Sequence, residues 1–157
     1  VAGVAASSGI PLEATGTRVT LTPPTGGPIA AGGTALTARV EALPSEKQLY
    51  LMIKNYRADL QPGVIYNVYL DLPPAGAPNG GEGHYVGSIN FFGVVPHDGH
   101  ESHAASAAVM TFDITELAKR LKSEGQLTST PTVTIVPSGE PTEDSKPVIG
   151  EISIVEQ

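Results

Sequence analysis

Three histidines recur at intervals of three in "HDGHESH", where His97, His100 and His103 alternate with Asp98 and Glu101. Imidazole and carboxylate both ligate Zn²⁺ and Cu²⁺, so the run holds the donor types of a metal centre. The spacing permits such a centre without requiring one. In an extended strand, positions i and i+3 point to opposite faces, so the rings converge only if Gly99 lets the backbone curl. An exposed polar loop accounts for the same residues. Three loop imidazoles without rigid supporting hydrogen bonds would have to meet the ordering cost themselves. The expectation is weak, pH-dependent copper or zinc uptake at most, and no cofactor held by this chain.

Other chemistry is sparse. The sequence has no G-x-S-x-G elbow, no H-E-x-x-H pair and no G-x-x-x-x-G-K-[ST] loop. Glu143 and Asp144 are adjacent carboxylates in a Ser/Pro-rich stretch, where ionised groups stay solvated. Tyr66 and Tyr69 in "IYNVYLD" fall on opposite faces of a strand, so one enters the core and the other packs on an edge or a partner. Phe91 and Phe92 are neighbours and also face opposite ways, which makes one of them a contact for another domain.

The elements that must carry these residues are mostly strands. The 157 residues are 40% hydrophobic, enough for one domain with a sizeable core, while Gly 18 and Pro 14 suit many turns between short strands. Nine Lys plus Arg against sixteen Asp plus Glu give a net charge of -7, which offers no footprint for nucleic acid or an anionic membrane. Without cysteine there are no disulfides or thiolate ligands, and the compartment stays open, export included. No apolar run is long enough to span a bilayer, so the chain reads as soluble.

Residues 1–16, small and featureless, read as a linker from an upstream domain, and 17–157 as a β-sandwich. "TRVTLTPP" alternates around Val19 and Leu21, and "TALTARVEAL" alternates Leu36, Ala38 and Val40, so both predict strands. "KQLYLMIKNY" and "GVIYNVYLDLPP" are the most β-prone segments, and the Pro-Gly turn between them predicts a neighbouring pair. "HYVGSINFF", "SAAVMTFD", "TPTVTIVPSG" and "KPVIGEISIVEQ" follow as strands, the last two joined by a polar hairpin or loop. A single helix is predicted in "ITELAKRLK", opened by a capping box of Asp113 and Glu116 and stopped by Gly125. Seven or eight strands with one short helix, and no βαβ alternation, predict a mainly β fold: an antiparallel sandwich.

Read in order, "YNVYLD", a Gly-rich gap, "HYVGSINFFGVVPH", "FDITELAKRLKSEG", "VTIVPSG" and "IGEISIVE" resemble the C-terminal domain of tyrosinases and polyphenol oxidases, called the KFDV domain in plants. The resemblance covers about residues 48 to 156 by the order of its elements. The Lys-Phe-Asp-Val-Tyr segment of the plant proteins matches Ile65 through Tyr69, with the name-giving Lys and Asp both replaced. Their Ala-Gly-Ser-Phe strand and Val-Pro-His match Val86 through Ile89 and Val95 through His97. "ASSGIPLEATGTRVTLTPP" is also similar to the segment that follows the copper core in bacterial tyrosinase-like proteins.

The resemblance implies a β-sandwich, a tyrosinase-like copper-binding core as partner, and a lid role over the copper pair of that core. It also implies that this chain alone is not the phenol-oxidising enzyme, whose core needs two sets of three histidines on a helical bundle. The core-facing residues would be Phe91, Phe92, Ile89 and Val94, with Tyr66 and Tyr69. Two rival readings stand beside it: a copper-handling module built on His97, His100 and His103, and an independent extracellular binding sandwich with exposed tyrosines for carbohydrate. Calorimetry at pH 7 separates the first rival. The expected outcome is no tight binding of Cu²⁺ or Zn²⁺, and nanomolar affinity abolished by alanine at all three histidines would overturn it.

Overall fold

The computed structural model describes residues 2–22, 36–73, 83–91, 108–128 and 130–157. Branched and aromatic residues alternating with polar ones form most of the strands: β1 (Ala2–Pro11), β2 (Thr17–Thr20), β3 (Leu49–Lys54), β4 (Tyr66–Leu70), β5 (Tyr85–Ile89), β6 (Val109–Asp113), β7 (Thr132–Pro137) and β8 (Val148–Glu156). They make two four-stranded antiparallel sheets, ordered β1-β8-β3-β6 and β2-β7-β4-β5. The inward rows Leu49, Leu51 and Ile53 of β3, Tyr66, Val68 and Leu70 of β4, and Val133 and Ile135 of β7 fill the core between them. The expected antiparallel sandwich is therefore the fold observed.

Several local expectations are corrected. Residues 2–11 are no linker: β1 pairs with β8 from Ala2↔Glu156 to Pro11↔Val148, because backbone pairing holds a strand whose small side chains give no hydrophobic period. Leu36–Glu41 is a helix, α1, rather than a strand. Its buried Leu36 and Val40 stand four apart, a spacing shared by one strand face and one helix face, and Leu, Ala, Arg and Glu favour the helix. The segments holding β3 and β4 do not pair with each other but lie in opposite sheets, and the same is true of β7 and β8.

The second helix, α2 (Thr115–Ser123), is the expected one with a different start. Its N-cap is Ile114, so Asp113 sits one residue outside and accepts the Thr115 N–H at 2.9 Å, and no capping box with Glu116 forms. Gly125 ends it at φ 71°, with Gly125 N–H donating to Lys122 O and Gln126 N–H to Leu121 O, the paired bonds of a left-handed helix stop. Together α1 and α2 close one end of the sandwich, where Leu49 N–H donates to Thr115 Oγ1 at 2.9 Å and Arg39 pairs with Glu156 at 3.3 Å.

Near this end the buried carboxylate of Asp71 accepts the backbone N–H groups of Thr128 and Thr132, each at 2.8 Å, and the Thr128 hydroxyl at 2.9 Å. One acidic side chain thereby joins the end of β4 to the start of β7. The sides of the sandwich are closed differently. Ala6 and Thr22 exchange backbone hydrogen bonds between the sheets on one side. On the other, Gly87 leaves room for the Phe112 ring, which any Cβ at that position would overlap.

At the far end the first sheet bends. Gly9 and Asn55 take φ of 65° and 55°, and a Cβ on Gly150 would meet Asn55 Cβ at 2.6 Å and the carbonyls of Lys54 and Asn55 at 3.2 Å. Ile149 and Ile152 are both fully buried although three residues apart, a spacing that an unbent strand sends to opposite faces. Beyond the bend Ile10, Ile149 and Tyr56 turn inward. Gly150→Ala should destabilise the fold by about 2 kcal/mol, since two of the three obstacles are backbone. Denaturant unfolding checks this. Combining it with Asn55→Gly should recover part of the loss, and purely additive effects would mean that the close approach is not the cause.

Candidate docking surface

The residues singled out by chemistry separate into three groups. His97, His100 and His103, with Phe92 and Val94, lie outside the described residues. Among the described residues no group of three His, Asp or Glu side chains is placed to hold a metal. His84 is buried, and its Nδ1 lies 2.9 Å from Leu70 O. A carbonyl only accepts, so Nδ1 carries the proton and His84 ties β5 to the end of β4.

Tyr66, Ile89 and Phe91 form the second group, each only 1% exposed. They belong to this domain's own core, which corrects their expected place on an exposed apolar face. The cause is the bend. Tyr56, turned inward, meets the Phe91 ring edge-to-face with centroids 5.6 Å apart, and Tyr66 meets the same ring at 5.4 Å. Two perpendicular contacts hold Phe91 as an aromatic wedge.

Of the expected interface residues that are described, only Tyr69 lies on the outer face of the second sheet. Its ring packs edge-to-face on Tyr85, which is 44% exposed and was not singled out by the sequence. Beside them the Ser88 hydroxyl donates to Asn67 Oδ1 at 2.8 Å and is hydrogen-bonded to the Tyr85 hydroxyl. The two rings are inclined at 63°, so they form a step and not a flat stacking platform.

The larger apolar exposure lies at the end opposite the helices. Leu60 is 48% and Ile65 44% exposed, and a groove of about 290 Å³ opens between Gly63, Val64, Ile65, Asn90 and the Phe91 wedge. The neighbouring connection is fixed to it: Pro62 O accepts both the backbone N–H of Thr142 at 2.8 Å and its hydroxyl at 3.1 Å. This end combines exposed aliphatic groups with a rigid floor, as a docking surface requires. Leu60 was missed because the turn around Pro62 and Gly63 breaks any hydrophobic period.

The model of the family "Domain of unknown function (DUF7868)" matches residues 3–157. No curated protein sequence matches the chain. Among solved structures, recombinantly expressed latent aurone synthase (polyphenol oxidase) matches with a TM-score of 0.52 and 18% identity, over 92% of this chain and 25% of that chain. The same latent enzyme from natural source matches with a TM-score of 0.53 at 18% identity, over 93% and 25%. A latent apple tyrosinase aligns over 98% of this chain and 27% of that one with a TM-score of 0.46. The chain thus spans about a quarter of the length of these structures. At this identity the aurone synthase likeness is one of fold: a sandwich of this kind occurs within a polyphenol oxidase.

Burial pushes the phenol groups of Tyr56 and Tyr66 above their ordinary value of 10.0. Unfolded tyrosines release their protons near pH 10, whereas the folded ones keep theirs to higher pH, so the folded state binds more protons in that window. Their contribution to stability is complete below about pH 10 and is lost as the pH rises through the folded values. Thermal melts across that window should show a fall that is shallower in Tyr56→Phe/Tyr66→Phe. Equal slopes in both proteins would contradict the assignment.

Proposed function

We propose that this chain, which belongs to the family Domain of unknown function (DUF7868), is the non-catalytic domain of a tyrosinase- or polyphenol oxidase-like copper protein, and that it covers the copper pair of the oxidase core with the end of its sandwich opposite the helices. The observation that carries the reading is the exposed Leu60 and Ile65 beside a groove of mixed polar and apolar lining floored by Phe91, in a fold that also occurs within a latent polyphenol oxidase. Docking there removes apolar surface from water, and a stable interface of this type buries more than about 1,200 Å² in total with an apolar centre. Latency is then steric, because a phenol cannot reach the copper pair under a docked domain.

The copper-bearing core is the partner in this reading, and the chemistry belongs to the core. Carbohydrate binding by the second sheet is less well supported, since Tyr69 and Tyr85 offer no common plane for a sugar ring. The test compares diphenol oxidation by the full-length parent, by its core alone, and by the core with this chain added. The core alone should turn over faster than the parent at equal copper content. Added chain should restore inhibition only at high concentration, because separation removes the effective concentration supplied by a linker. Leu60→Asp/Ile65→Asp should abolish that inhibition without lowering the melting temperature. Equal turnover of core and parent at equal copper would sink the lid reading and leave a role in folding.

A further inference from the structure

A second recess lies at the same end, beneath the connection 138–147. It is an open recess of about 390 Å³, with Leu12 and Tyr66 in its lining and Glu140, Glu143, Asp144 and Lys146 around it. Asp144 and Lys146 hold left-handed φ of 63° and 47°, Leu12 N–H donates to Pro147 O at 2.9 Å, and Ser145 O accepts the Asp59 N–H at 2.7 Å.

The Tyr66 hydroxyl is one of three buried side-chain oxygens without a partner among the described residues, with those of Thr134 and Ser153, and the one whose residue lines this recess. Tyr66 is 99% withdrawn from solvent, being only 1% exposed, and its Oη has no hydrogen-bond partner among the described residues. A buried hydroxyl without a partner costs free energy, part of which a guest recovers by donating to its oxygen. Three exposed carboxylates against the single ammonium of Lys146 make the mouth negative and select a positively charged guest. The aliphatic lining of Leu12, Ala14 and Pro141 suits a hydrocarbon stem.

We propose that this cleft receives an arginine side chain of a partner protein, with the guanidinium donating to Tyr66 Oη and to a carboxylate at the mouth. Arginine fits better than lysine. Its planar head carries five donors in a fork, so it reaches a deep hydroxyl and a rim carboxylate at once, and it sheds water more readily than an ammonium. Identifying the partner as the oxidase core rests on the docking reading above; the chemistry of the cleft does not.

The experiment titrates N-acetyl-arginine methylamide into this chain and follows the backbone amides of residues 12–14 and 140–147 by NMR, with the norleucine analogue as the uncharged control. Saturable shifts are expected for the arginine probe alone. They should weaken about tenfold in Tyr66→Phe, which keeps the ring in the aromatic cluster, and again in Glu143→Gln/Asp144→Asn, whose side chains are exposed. Absence of saturation, unchanged affinity in Tyr66→Phe, or equal shifts from the norleucine analogue would overturn the proposal; the second result would mean that ordered water already satisfies Oη. The same variants are then assayed for inhibition of the oxidase core. Weaker inhibition is expected, and unchanged inhibition alongside weakened probe binding would overturn the assignment of the guest to the core while leaving the cleft chemistry measured by itself.

Discussion

The close approach of Gly150 to Asn55 decides how the working end of this domain is built. With no side chain at that point, β3 and β8 cross near enough for the sheet to bend, and Asn55 absorbs the change at positive φ. Tyr56 then points inward and meets Phe91, which in turn meets Tyr66. The groove beside Leu60 and the cleft over Tyr66 share this aromatic floor. The floor of this end is thereby made of rings and backbone, while Leu60 and Ile65 stay exposed above it.

The two ends of the sandwich divide their tasks. The helix end is sealed by α1 and α2, by the Arg39–Glu156 pair and by the donors gathered on Asp71. Asp71, Arg39 and Glu156 find their partners inside the domain there, which suits a surface left in water. The opposite end keeps exposed aliphatic groups and an unpartnered hydroxyl. Apolar surface left in water in the isolated chain is available for association, which is what the proposed docking at this end would use.

The fold class was legible because β3, β4, β7 and β8 carry alternating branched residues and α2 carries a helical period with a glycine stop. Which strands share a sheet was not. A Pro-Gly turn serves equally a hairpin and a crossing between sheets, and only burial of both β3 and β4 against each other decides for the crossing. The inward choice of Phe91 was also hidden: adjacency shows that it and Phe92 face opposite ways, but not that Tyr56 arrives behind a bend to receive one of them. Gly9, Asn55 and Gly150 are ordinary turn residues in three distant segments, and their meeting exists only in space. The candidate docking end was legible in its Tyr66 and Phe91, with their roles reversed from contact to support.

The pairing of β1 with β8 joins residues at opposite ends of the sequence, Ala2 with Glu156 and Pro11 with Val148. Such a ladder closes a loop almost as long as the chain, and folds dominated by distant pairings form slowly for that reason. Among the described strands β1 has no partner within its sheet until β8 is in place. Through that interval one edge of β8's sheet is either absent or open to any other extended segment. The distance between these two strands thus makes the sheet late to complete, and vulnerable to wrong pairing until β8 arrives.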